Sequence, residues 1–76
     1  MIKPKDRKNP LQKKFGEIVR EKRLKLQISQ ESLAERAHLH FTYVSSVERG
    51  ERNLSLINIS KLADALGCTM ADLMPN

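Results

Sequence analysis

Four side chains between residues 42 and 49 share a chemistry and a spacing. Thr42, Ser45, Ser46 and Arg49 stand at i, i+3, i+4 and i+7, which on a helix gathers them within an arc of about 100°. All four can hydrogen-bond, and three are small. A short helix with such a face can lie deep in a DNA major groove and reach base edges, where bulky or acidic side chains would hold it out. Val44 and Val47, on the opposite side, can anchor it to a core. An ordinary solvated helix face has a similar composition, so the face alone does not decide between the two.

Other chemistries find little to work with. His38 and His40 lie two apart with no third ligand nearby, so no metal site is expected. The single cysteine, Cys68, excludes an internal disulfide and is too few for a zinc site. Phosphate loops, nucleophile elbows and catalytic carboxylate pairs are absent, and Glu31 and Glu35 read as a solvated helix pair. The expectation is a protein without a cofactor that is not an enzyme. No apolar stretch approaches the roughly 18–20 residues of a membrane span, and no apolar run follows the basic start as a secretory signal requires. A cytoplasmic location without membrane association is expected.

The charge is unevenly placed. Residues 1–27 carry ten Lys or Arg against Asp6, Glu17 and Glu21, a net of +7, whereas residues 28–76 carry a net of −2. Such asymmetry fits a polyanionic partner, and it equally fits a solvated face. Pro4 and Pro10 bracket a lysine-rich stretch with little to bury, so residues 1–10 read as a flexible basic arm. On it, Lys3, Lys5, Arg7 and Lys8 are candidates to follow a DNA backbone.

Residues 11–76 must then position the 42–49 face. Apolar spacing predicts a first helix over 11–27, with Leu11, Phe15, Ile18, Val19 and Leu26 inward and Lys22 inside the same arc. Ser29 caps a second, Gln30–Ala37, with Leu33, Ala34 and Ala37 inward. His38, Leu39 and His40 form a tight connection to a third, 41–49, which Gly50 ends. Ser55 caps a fourth, whose buried stripe is Leu56, Ile59, Leu62, Ala63 and Leu66 and whose stop is Gly67. Thr69 and Asp72 have the spacing of a capping box for a last turn holding Met70 and Leu73. The predicted fold is all-α, a compact five-helix domain.

The segment 28–50, ISQESLAERAHLHFTYVSSVERG, resembles the helix-turn-helix of the phage repressor and Cro, or XRE-type, family. Ser29-Gln30-Glu31, Leu33-Ala34, Leu39, Val44 and Val47-Glu48-Arg49-Gly50 carry the likeness. It extends upstream through Phe15-Gly16 and Arg23 and downstream through the fourth helix, covering about residues 12–74. Within the family, Thr42-Tyr43-Val44 and the run from Val47 to Ile59 look most like controller proteins of restriction–modification systems. The resemblance implies a phage-repressor-like domain that binds double-stranded DNA and regulates transcription. It implies that Gln30 meets backbone phosphate and braces the recognition helix. Thr42, Tyr43, Ser45 and Ser46 would meet bases or phosphates, Arg52 would reach DNA from the following loop, and Arg49 is a further candidate. Glu48 is expected to pair with Arg23 and hold the fold.

Two positions depart from the family pattern. His38 stands where the tight turn usually has glycine, at a backbone position that often needs positive φ. Phe41 stands where related controllers often place an arginine able to bond guanine. Phenylalanine can touch a thymine methyl or pack against the protein, so a different operator is expected.

One recognition helix reads only a few base pairs, and members of this fold dimerise to place two helices in successive major grooves. Ile57 lies off the predicted stripe of the fourth helix, and with Leu54, Met70, Leu73 and Met74 it is a candidate homodimer patch. Such a dimer represses where it blocks RNA polymerase and activates where it touches it. The competing expectation is a protein-binding adaptor or antitoxin-like partner that retains the fold.

Overall fold

The computed structural model describes residues 9–76, so the expectations placed on Lys3, Lys5, Arg7 and Lys8 lie outside the described residues. Five helices follow one another: α1 (Pro10–Lys25), α2 (Gln30–Ala37), α3 (Phe41–Glu48), α4 (Leu56–Leu66) and α5 (Met70–Leu73), with no strand among the described residues.

Local chemistry sets most of their ends. Asn9 caps α1 by accepting from the Leu11 N–H, and Pro10 occupies a first-turn position where its missing donor costs nothing. Ser29 and Ser55 accept from N–H groups three residues on, and Thr69 and Asp72 close a complete capping box. The Thr69 amide and hydroxyl hold the Asp72 carboxyl below the usual carboxylate range. His38 does adopt the left-handed region, φ 56°, in the turn between α2 and α3.

α1 and α3 end two residues and one residue earlier than periodicity predicted. Gln27 takes a positive φ of 59° beyond α1, and Arg49 is the cap rather than the last turn of α3.

The core is Phe15, Val19, Leu33, Ala34, Ala37, Val44, Val47, Leu62, Ala63, Leu66 and Leu73. Of the other expected core residues, Ile18 and Ile59 are half-buried and packed against it, whereas Leu11, Leu26 and Leu56 are 61 %, 44 % and 74 % exposed. Each of these three leucines lies at or just past a helix end, where the next helix no longer covers it. Leu73, expected on a dimer patch, is fully buried and cannot face a partner. The capping box turns α5 so that this leucine closes the core beside α4.

The side of α1 facing α3 has a different character. Arg23 is buried there, and its Nε and Nη2 donate to Glu48 Oε2 and Oε1 at 2.6 and 3.0 Å. Its Nη1 donates to the Ile28 carbonyl at 2.9 Å. The expected Arg23–Glu48 pair is therefore present and bidentate, and both side chains are under a tenth exposed. Two turns earlier, Gly16 brings the two backbones together. A Cβ there would run into the Val47 carbonyl oxygen and stand 2.9 Å from that of Glu48.

Candidate nucleic-acid interface

The helix pair α2–α3 is fixed from behind at three points. Val44 and Val47 sit in the core. Glu48, at the end of α3, is gripped by Arg23 from α1 and accepts from Gln30 Nε2 at 2.9 Å. Tyr43 accepts through its hydroxyl from Asn58 Nδ2 of α4 at 3.0 Å. Together these hold α3 from both ends, so its outward face is presented by a rigid support.

That face holds Phe41, Thr42, Ser45 and Arg49. Phe41 is 42 % exposed, Thr42 and Arg49 are exposed, and Ser45 is half-buried. Arg49 Nη1 donates to Ser45 Oγ at 2.7 Å, and its Nε and Nη2 form a fork onto the Glu51 carboxylate, each at 3.1 Å. The hydrogen bond to Glu51 raises the Arg49 pKa further.

Ser46 departs from the expected arrangement. It is 5 % exposed, donates to the Tyr43 carbonyl at 2.7 Å and accepts from Arg52 Nε at 2.8 Å. It lies at the edge of the predicted arc, where the loop after α3 covers it. Arg52 itself lies over the Tyr43 ring, 5.1 Å from the centroid, a distance at which the guanidinium and the ring face attract. Ser46 thus holds that loop against α3, and the open hydroxyl on this face is that of Thr42. Gln30, expected both to brace and to touch phosphate, is seen bracing, with its amide engaged by Glu48.

Three contributors escaped the sequence reading. Asn58 meets Tyr43 across 15 residues with no local pattern to announce it. Glu51 looks like an ordinary loop acid until its fork to Arg49 is seen. His40 caps α3, its Nδ1 accepting from the Thr42 N–H; histidine is not among the preferred cap residues, so it carried no signal. Among the described residues, no group of three or more His, Cys, Asp or Glu side chains could hold a metal ion, and no helix is long and apolar enough to cross a membrane. Burial pushes the Cys68 thiol pKa up, the direction opposite to a reactive thiolate.

A helix-turn-helix family profile matches residues 19–73, the span from the middle of α1 to the end of α5. The chain belongs to the XRE-type helix-turn-helix family. Members of this family are DNA-binding transcription regulators, and so is this protein. The XRE-type match has a particular neighbourhood. "Control protein C.BamHI" of Bacillus amyloliquefaciens is 52 % identical over 61 residues, 79 % of this chain and 75 % of that protein. "Control protein C.MunI" of Mycoplasma sp is 41 % identical over 66 residues, 86 % and 89 % of the two. The crystal structure of the restriction-modification controller protein C.AhdI from Aeromonas hydrophila superposes with a TM-score of 0.81 at 48 % identity, covering 83 % of this chain and 96 % of that one.

Proposed function

We propose that the protein acts in the cytoplasm as a homodimer on a pseudo-palindromic operator, controlling the genes of a restriction–modification system. The supporting observation is the presence, in one short domain, of an exposed polar face on α3 and an exposed apolar pair at the start of α4. Leu56 and Ile57 are 74 % and 68 % exposed, and adjacent apolar side chains this open in a small domain point to a partner surface. Beside them, Leu54 lines one groove with Leu11, Met74 and Pro75. Met70, half-buried against the core, contributes only its edge. A two-fold axis through this surface brings the same patch of each copy together. The two α3 helices then enter major grooves about 34 Å apart.

In each half, Thr42, Ser45, Arg49 and Phe41 meet base edges or flanking phosphates, while Tyr43, Ser46, Arg52 and Gln30 hold the helix and its loop in register. The likeness to control proteins supports the regulated genes, and a dimer beside a promoter represses or activates according to whether it blocks or touches RNA polymerase. Selection from random-sequence duplexes at about 150 mM salt, a physiological ionic strength, tests this. A palindromic motif with half-sites about one helical turn apart is expected. Binding without any motif would leave only a non-specific role, and absence of binding would favour a protein-binding adaptor.

Two variants probe the parts separately. Ile57→Asp places a carboxylate in the apolar patch and is expected to give a monomer by sedimentation, with operator affinity reduced far more than fold stability. An unchanged dimer would place the interface elsewhere. Removing residues 1–8 leaves the Asn9 cap in place. It is expected to weaken binding to all sequences and to flatten the log–log salt dependence by close to one unit per lost phosphate contact, at most about four. An unaltered slope would show that Lys3, Lys5, Arg7 and Lys8 do not touch the backbone.

A further inference from the structure

N-caps are usually Ser, Thr, Asp or Asn, whose side-chain oxygen accepts from the first-turn N–H groups. At the start of α3 the acceptor is a ring nitrogen, His40 Nδ1, 3.3 Å from the Thr42 N–H. The Thr42 hydroxyl oxygen is 2.9 Å from the same nitrogen. A backbone N–H only donates, so this contact assigns the tautomer in which Nδ1 is the acceptor and the ring proton sits on Nε2. In that tautomer the hydroxyl donates to Nδ1, whose one lone pair it shares with the Thr42 N–H. Its single proton is directed inward, and Thr42 presents outward two oxygen lone pairs and a methyl group, but no donor. The orphan N–H groups and positive dipole end of the helix act in the same sense, because they favour a bare acceptor at the cap.

We propose that His40 sets which bases this protein reads, by fixing Thr42 as a pure hydrogen-bond acceptor. The inference rests on the proposal that α3 enters the major groove. There, adenine N6 and cytosine N4 are amine donors, whereas guanine O6 and thymine O4 are acceptors. An acceptor-only oxygen is matched to the amines and repelled by the carbonyls. A threonine free to rotate its hydroxyl satisfies either kind. His40 is thus a positioning residue: it touches Thr42, and Thr42 touches the base.

The test compares full-length wild type with His40→Gly, His40→Asn and Thr42→Val in duplex selection, followed by competition binding. Glycine costs a helix little as an N-cap, so His40→Gly keeps the fold while freeing the hydroxyl. Asparagine restores an acceptor oxygen at the cap. Wild type is expected to select adenine or cytosine at one position per half-site, and Thr42→Val to lose the preference there alone. A purine lacking the 6-amine, or a pyrimidine lacking the 4-amine, placed at that position is expected to weaken wild-type binding on the order of tenfold and leave Thr42→Val unaffected. His40→Asn should keep the preference and His40→Gly should relax it. The readout is a ratio between duplexes on one protein, so a general loss of stability or affinity does not move it. A Thr42-dependent preference for guanine or thymine overturns the proposal, as does a preference that survives His40→Gly intact. A motif in which no position responds to Thr42→Val also overturns it, while leaving the regulator on its operator. No motif at all overturns both.

Discussion

Replacing Glu48 by alanine is expected to destabilise the domain by about 3–5 kcal/mol, the largest effect of any single polar substitution in it. Arg23 would remain buried, with its side chain 9 % exposed and two of its three hydrogen bonds lost, and Gln30 would lose the acceptor of its amide. A domain of this length has roughly 4–11 kcal/mol in total, so the midpoint of thermal unfolding should fall by about 15–30 °C. Glu48→Gln keeps an acceptor and the shape, and is expected to cost less. The double replacement Arg23→Met with Glu48→Leu should recover much of the loss, since removing both charges leaves neither one buried alone. A thermal or urea melt distinguishes these cases. A loss below about 1 kcal/mol for Glu48→Ala, the range of exposed pairs, would mean that water reaches Arg23 and that the pair does not lock α1 to α3.

A second large effect is expected from one methyl group. Gly16→Ala would ordinarily strengthen a helix interior by up to about 1 kcal/mol. Here the added Cβ meets the Val47 and Glu48 carbonyl oxygens, and backbone cannot rotate away as a side chain can. The two helices must separate, at a cost of about 3 kcal/mol, which outweighs the propensity gain. Because α1 backs the end of α3, the tilt of the recognition helix changes with it. DNA affinity is therefore expected to fall even at temperatures where the variant is folded. Gly67→Asn is the control: the space around Gly67 is open and its φ is 71°, which asparagine tolerates. Its cost should stay below about 1 kcal/mol. Equal effects at the two positions would show that the α1–α3 approach is not a constraint.

These two sites also show how far the sequence could be read. Caps are local chemistry, so Ser29, Ser55, Thr69 and Asp72 marked helix starts correctly, and Val44 and Val47 marked the inner side of α3. The Arg23–Glu48 pair was expected from the family resemblance and is present. Periodicity failed at helix ends: Leu11, Leu26 and Leu56 share the apolar arc of their helices, yet no neighbouring helix reaches far enough to cover them. Leu73 failed in the opposite direction, because an apolar residue in a four-residue helix has no period to read. At the candidate interface, spacing placed Thr42, Ser45 and Arg49 on the open side. It could not reveal that the loop carrying Arg52 folds back over Ser46. Nor could it pair Tyr43 with Asn58, a contact made by tertiary packing alone.

The support of α3 also separates two evolutionary pressures on one short helix. Val44, Val47, Glu48 and Ser46 face the protein and carry its stability, whereas Phe41, Thr42 and Arg49 are open to solvent. Substitutions at the open positions leave the core and the buried ion pair unchanged, so they are nearly free of a folding penalty. A duplicated copy of the gene can therefore drift toward a new operator by single steps without passing through an unfolded intermediate.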